Sequence, residues 1–203
     1  MSQGCEQGFV LIDDSTGKEY CMDSNYDPTG SAVFACTDTS TTPTPRCSSG
    51  GPAVVSGTVQ EPWFPSRGAE MFAVEHVLTR ELIEIRGENY WRAGRRSRGE
   101  FILDLCRDIA VDMIKLVNTH NAGGQHRATK DFRVYLSNDQ NGPWTRVLSG
   151  RLEDSRHKPD PHPVMKYQIS PTVARYVKFE LYSWYGQGGG LQYFAAVKCS
   201  GEY

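Results

Sequence analysis

From residue 53 onward, short apolar runs alternate with polar residues at every second position and are cut by turn-forming clusters. Phe132, Val134 and Leu136 fall on one face of such a run, and Val177, Phe179 and Leu181 alternate with Tyr176, Lys178, Glu180 and Tyr182. A period of two sends successive side chains to opposite faces of extended backbone, so each run describes a strand with one buried face. Residues 101–105, 111–117 and 191–199 supply further runs, and Asn138-Asp139-Gln140-Asn141-Gly142-Pro143 is a strong turn before Trp144. Only residues 69–85 have a helical look, with Phe72, His76 and Thr79 at helical spacing. Many short strands at turn-rich spacing predict an all-β fold, an antiparallel sandwich or jelly roll. With 203 residues the chain has room for one such sandwich and a smaller remainder. No stretch approaches the ~18 consecutive apolar residues of a membrane-spanning helix. The N-terminus lacks the basic-then-apolar pattern of a signal peptide.

The remainder lies at the N-terminus. Residues 1–46 carry seven acids against two bases, a net of −5, which leaves +3 for the rest of a chain whose formal charge is −2. A near-neutral total argues against a protein built around nucleic acid. Cys5, Cys21, Cys36 and Cys47 crowd into this quarter, whereas Cys106 and Cys199 stand alone. Four cysteines in a segment too small to hold a core read as disulfide staples, and hence as an oxidising, extracellular setting for a secreted protein. Sequence cannot choose among their pairings. No pair has the two-residue spacing of a zinc knuckle or redox site. Residues 8–22 read as a small hairpin around Asp13-Asp14-Ser15-Thr16-Gly17, and 37–46 as a Ser/Thr/Pro linker without apolar anchors. The predicted organisation is a Cys-rich acidic segment over 1–46 and a sandwich domain over 47–203.

A family resemblance follows from the strand blocks. Phe101-Ile102-Leu103-Asp104-Leu105, then Val111 to Asn118, then Lys130-Asp131-Phe132-Arg133-Val134-Tyr135-Leu136-Ser137-Asn138-Asp139 with Trp144 behind it, resemble the discoidin or coagulation factor V/VIII C-type domain. Thr172 to Phe179 is similar to its penultimate strand, and Ala196-Val197-Lys198-Cys199 to its last. The same segments resemble the galactose-binding-like family 32 carbohydrate-binding modules, over about residues 53–199. Residues 1–46 match no known family. The resemblance implies an eight-stranded antiparallel jelly-roll sandwich whose loops at one end bind a ligand. It also implies a disulfide joining the chain ends, here Cys199 with an N-terminal cysteine, Cys47 foremost. Cys106, where relatives usually have Gly, is either a small buried thiol or a bridge to the N-terminal segment, the thiol being slightly preferred. Relatives often hold a structural calcium near Asp-Gly-Asn. Here Arg86-Gly87-Glu88-Asn89 stands at that place and Gln192 where a Glu is frequent, which speaks against calcium. No other cofactor is expected.

The candidate site residues come from three segments. Ser183-Trp184-Tyr185-Gly186-Gln187-Gly188-Gly189-Gly190 reads as a loop in which Trp184 and Tyr185 either offer a flat face to a sugar or tuck back to seal the sandwich. The loop 118–127 offers His120, His126 and Arg127, at positions where family 32 modules make polar sugar contacts; hydrogen bonds that only stabilise the loop are the equal alternative. Arg92, Arg95, Arg96 and Arg98 form a basic loop that could attract an anionic ligand, although a solvated surface is the simpler reading. Trp63-Phe64 is either a first-strand core contact or an apolar spike. Trp91 and Trp144 are expected in the core. His157, Asp160 and His162 offer metal ligands, but three surrounding prolines suggest a plain exposed loop, so no metal is expected there. No nucleophile elbow, metalloprotease helix or phosphate-cradling loop is present, so the chain reads as non-enzymatic. The expected function is recognition of cell-surface or matrix glycans. The alternatives are adhesion to anionic phospholipid or a protein partner, and an accessory module of a larger enzyme.

Overall fold

A computed structural model of the chain describes the strands 8–12, 19–23 and 34–35 by their backbone, and residues 52–59, 72–79, 83–84, 89–121 and 126–198 in full. Near the N-terminus, β1 (Gly8–Ile12) pairs antiparallel with β2 (Glu19–Asp23), Val10 opposite Cys21, around the turn cluster of the expected hairpin. A two-residue strand β3 (Phe34–Ala35) adds to β2. The linker 37–46, Trp63-Phe64, residues 86–88, and Cys5, Cys36, Cys47 and Cys199 lie outside the described residues, as does the side chain of Cys21.

The body is all-β. Its strands are β4 (Ala53–Gly57), β5 (Trp91–Arg92), β6 (Gly99–Asn118), β7 (Arg127–Thr129), β8 (Asp131–Ser137), β9 (Thr145–Arg151), β10 (Met165–Leu181), β11 (Trp184–Gly186) and β12 (Gly190–Val197). The helical spacing near residue 76 is realised within 72–79 only as a 3-10 turn, Val74–Leu78, which buries Val74 and Val77.

Two long strands organise the sandwich. β6 and β10 pair antiparallel along their length, with register shifts between Gln168 and Thr172 and between Ala174 and Tyr176. The first half of β6 takes β4 as its other neighbour, and the second half takes β12. Likewise only residues 176–181 of β10 carry β8, which in turn carries β9. Each strand therefore serves one layer and then bends into the other. At the bend Cys106 has φ +68°, and its N–H donates to the Asp104 carboxylate at 2.7 Å. Asp104 is also gripped by Arg175 through two bonds of 3.0 Å. Cys106 is half-buried and disulfide-bonded, which corrects the buried-thiol reading; its partner lies outside the described residues.

The period-two residues meet between the layers. Phe132, Phe179 and Phe101 stack across β8, β10 and β6 with interplanar angles of 15°, and Phe194 of β12 meets Phe101 edge-on from the facing layer at 5.4 Å. Trp91 is fully buried, edge-on to Phe101 and Phe179, and its indole N–H donates to the Thr58 carbonyl at 2.7 Å. Trp144 departs from expectation: it is half-buried outside this core, with the Lys178 ammonium 5.3 Å from its ring.

Candidate functional site

Because β6 and β10 fold back, the segments that follow or precede their outer ends gather at one end of the sandwich. Backbone bonds tie them together: Ala93 N–H to Gly189 O, Arg96 N–H to Gln187 O, Gln187 N–H to His126 O, and Ala128 N–H to Gly188 O. Glycine is required here. Gly188 has φ +150°, and a Cβ on it would collide with the Arg127 guanidinium. The loop backbone thus lies directly over that side chain.

Arg127 is 1% exposed, and its Nε and Nη1 have no hydrogen-bond partner. Arg92 lies beside it, its Nε likewise buried and unpartnered, its guanidinium 4.5 Å above the Phe72 ring. Burial, reinforced by the neighbouring Arg92, pulls the Arg127 pKa down to about 10. Arg92 is lowered for the same first reason. Tyr90 is fully buried, which drives its phenol upward, and its hydroxyl donates to Asn121 Oδ1. Asn121, at φ +65°, reaches His126 Nδ1 through its amide nitrogen at 3.3 Å. Buried donors are nearly always satisfied, so unused N–H groups on two adjacent guanidiniums mark a place where acceptors are wanted.

The predicted residues divide. His126, half-buried, and Arg127 join this cluster with Arg92; Arg95 and Arg96 are exposed on the adjoining turn. Arg98 turns away and stacks on Tyr182, whose other cationic neighbour is Arg133, each 4.1 Å from the ring centroid; this group borders a separate cleft of about 340 Å³. Trp184 and Tyr185 are not on a loop. They form β11, paired with β7 in the register Trp184–Thr129 and Tyr185–Ala128. Trp184 packs against the core, while the Tyr185 hydroxyl donates to the Leu152 carbonyl at 3.1 Å, with Lys130 and Arg156 over the ring at 5.6 and 5.8 Å.

His120 goes elsewhere. It is 7% exposed, and its Nδ1 lies 3.6 Å from Glu84 Oε1 and 3.8 Å from Asp160 Oδ1. Glu84 in turn accepts the Thr119 hydroxyl and the His120 N–H. The stretch 157–162 is not a plain exposed loop either: His157 is exposed, Asp160 is half-buried, and His162 is only 3% exposed. Gln192, fully buried, donates from Nε2 to Asp160 Oδ1 at 3.3 Å. A structural calcium does not fit this neighbourhood, since two imidazoles stand among the donors and calcium takes oxygen. Sequence reasoning missed Asn121, Tyr90 and Glu84. Asn121 could have been found, because a non-glycine residue in a Gly-rich turn is often an Asn held at positive φ.

Comparison with known proteins agrees with this architecture. The F5/8 type C domain pattern matches residues 76–194. No curated protein sequence matches the chain. Among solved structures, the family 32 carbohydrate-binding module of Streptococcus pneumoniae EndoD is 14% identical with a TM-score of 0.53, covering 77% of this chain and 99% of its own. The family 32 module of Clostridium perfringens NanJ, solved with galactose, is 14% identical with a TM-score of 0.52, covering 70% and 90%. A Ruminococcus gnavus fucosidase of family GH29 is 15% identical at a TM-score of 0.55, the match covering 76% of this chain but only 26% of the enzyme. The all-β sandwich is thus shared with carbohydrate-binding modules. Such domains are non-catalytic binding modules, so the domain is not itself an enzyme. With its strand order, its bent central strands and more than half its length matched, the chain belongs to the F5/8 type C, or discoidin, domain family.

Proposed function

We propose that this domain is a glycan-binding module that recognises its ligand at the end formed by residues 93–97, Asn121, His126 and 186–190. The observation that carries the proposal is the donor capacity left unused there: Nε of Arg92 and Nε and Nη1 of Arg127, buried against the loop backbone at Gly188. Sugar hydroxyls, carboxylates and sulfates are acceptors of the kind such a floor draws in. His126, Gln187, Arg95 and Arg96 rim the floor, while Trp184 and Tyr185 shape it from the β7–β11 ribbon. Support comes from the fold neighbours, among them a NanJ module solved with galactose and a Clostridium perfringens module solved with GalNAc-β-1,3-galactose. Each such contact is weak alone and gains strength by repetition, which suits an accessory module within a larger extracellular enzyme. The cysteine-rich N-terminal segment, Cys5, Cys21, Cys36 and Cys47, suits the same secreted setting.

A glycan array at low and high salt, followed by calorimetry on the best ligand with wild type and His126→Ala, tests this reading. We expect saturable binding that the substitution weakens about tenfold, with an unchanged melting curve. Binding to no glycan, binding equal in both proteins, or salt-sensitive retention by anionic vesicles alone overturns it.

A further inference from the structure

We infer that His120, Asp160 and His162 form a binding site for a first-row transition dication of the zinc class. The three come from two segments far apart in sequence, the loop after β6 and the loop before β10. Their ligand atoms nevertheless lie within 4.8 Å of one another. His120 Nδ1 to Asp160 Oδ1 is 3.8 Å, His162 Nε2 to Asp160 Oδ1 is 3.8 Å, and the imidazole centroids are 4.8 Å apart. These separations are too long for hydrogen bonds. The two nitrogen-to-Asp160 separations are a few tenths of an ångström above the ~3.3–3.4 Å edge of a tetrahedron built on metal–ligand bonds of ~2.0–2.1 Å, and the widest ligand-atom separation, up to 4.8 Å, must close on binding. The spacing is that of ligands arranged about a centre rather than bonded to each other.

Three further observations point the same way. First, His120 Nδ1 is buried, makes no hydrogen bond and faces the cluster. Second, His162 Nδ1 sits 3.1 Å from the Asn118 carbonyl. An N–H there leaves Nε2 with a lone pair that faces two oxygens, the Lys158 carbonyl at 3.2 Å and Asp160 Oδ1 at 3.8 Å, an arrangement that a cation between them relieves. Third, Glu84 Oε1 stands 3.6 Å from His120 Nδ1, a further carboxylate oxygen beside the cluster. Two nitrogen donors with carboxylate oxygens select a borderline metal over calcium, whose sites are all oxygen. Gln192, its Oε1 buried and without a partner, lies beside Asp160 and extends the polar lining. The bound ion would tie the loop carrying Asp160 and His162 to the end of β6 independently of any sugar.

The test uses the full chain with its disulfides intact, stripped of metal by chelator and titrated separately with Zn²⁺, Co²⁺ and Ca²⁺. We expect one Zn²⁺ per chain, a rise in melting temperature on adding it, and no effect of Ca²⁺. The Co²⁺ form of the wild type should show the intense visible bands of a four-coordinate nitrogen–oxygen site without thiolate charge transfer. Asp160→Asn and His120→Gln should each weaken Zn²⁺ at least tenfold while glycan binding at the loop end persists. Calcium binding in place of zinc, thiolate bands, a six-coordinate Co²⁺ spectrum, absence of stoichiometric binding, or full affinity in both variants overturns the assignment.

Discussion

The ion pair at the strand bend supports a quantitative prediction. Asp104 and Arg175 meet through two parallel bonds of 3.0 Å, with side chains 14% and 43% exposed. For unit charges about 4 Å apart, Coulomb energies run from ~1 kcal/mol in water to ~4 kcal/mol at an effective dielectric of ~20. Exposed pairs measure only ~0.2–1 kcal/mol once side-chain ordering is counted, so a bidentate pair with one shielded partner should be worth about 1 kcal/mol. Asp104 has a second task, since its Oδ1 accepts the Cys106 N–H and holds that residue at positive φ. Losing that acceptor should cost about 1 kcal/mol more. Arg175→Met and Asp104→Asn should therefore each cost about 1 kcal/mol, because Asn keeps an oxygen for Cys106, and Asp104→Ala about 2 kcal/mol. The Asp104→Asn/Arg175→Met cycle should return a coupling of about 1 kcal/mol. The Arg175 bonds hold the Asp104 carboxyl below its ordinary value. A depressed carboxylate contributes its stability above the unfolded-state value of ~3.9 and loses it as pH falls through the folded-state value. Wild type and Arg175→Met should thus converge on acidification. Urea unfolding followed by circular dichroism without reductant, at pH 7 and at about pH 2.5, measures each quantity. A coupling below about 0.3 kcal/mol at pH 7, one that persists undiminished in acid, or an Asp104→Asn as costly as Asp104→Ala would refute the reasoning.

Two further outcomes follow from packing. Gly190 is fully buried where β12 meets β5, and a Cβ there would strike the Trp91 carbonyl, so Gly190→Ala should cost about 2–3 kcal/mol and lower the melting temperature by roughly 5–10 °C; an unaltered melt contradicts this. Tyr182 carries Arg98 and Arg133 at 4.1 Å each, so Tyr182→Ala should lose about 1–2 kcal/mol while Tyr182→Phe loses little, and equal denaturation midpoints for the two would dismiss the cation–π account.

Much of the fold was legible because burial imposes a strict period of two on strands, and residues 132–136 and 176–182 display it without interruption. Less legible was that 101–105 and 111–117 belong to one strand. The join runs through a positive-φ Cys106 whose conformation depends on Asp104 and Arg175, a contact spanning 71 residues. Trp184 and Tyr185 looked like loop residues because three glycines follow them; pairing with β7 overrides that local signal. The candidate site was legible in part. His126, Arg127 and Arg92 do converge, but Arg98 faces another surface and His120 turns inward, because side-chain direction at the loop depends on which carboxylates fold beneath it. The prolines around Asp160 and His162 suggested an exposed loop, yet the fold buries His162.

The sharing of β6 and β10 between both layers has a consequence for how the molecule comes apart. A sandwich of two independent sheets has a seam along which one sheet can peel while the other survives. Here the seam is stitched twice, since pulling either layer away drags the same two strands out of the other. Loss of order should therefore be all-or-none, with amides of both layers exchanging at a common rate limit set by global opening. The loops at the open end stand outside this coupling, so their local motion carries no penalty for the two layers.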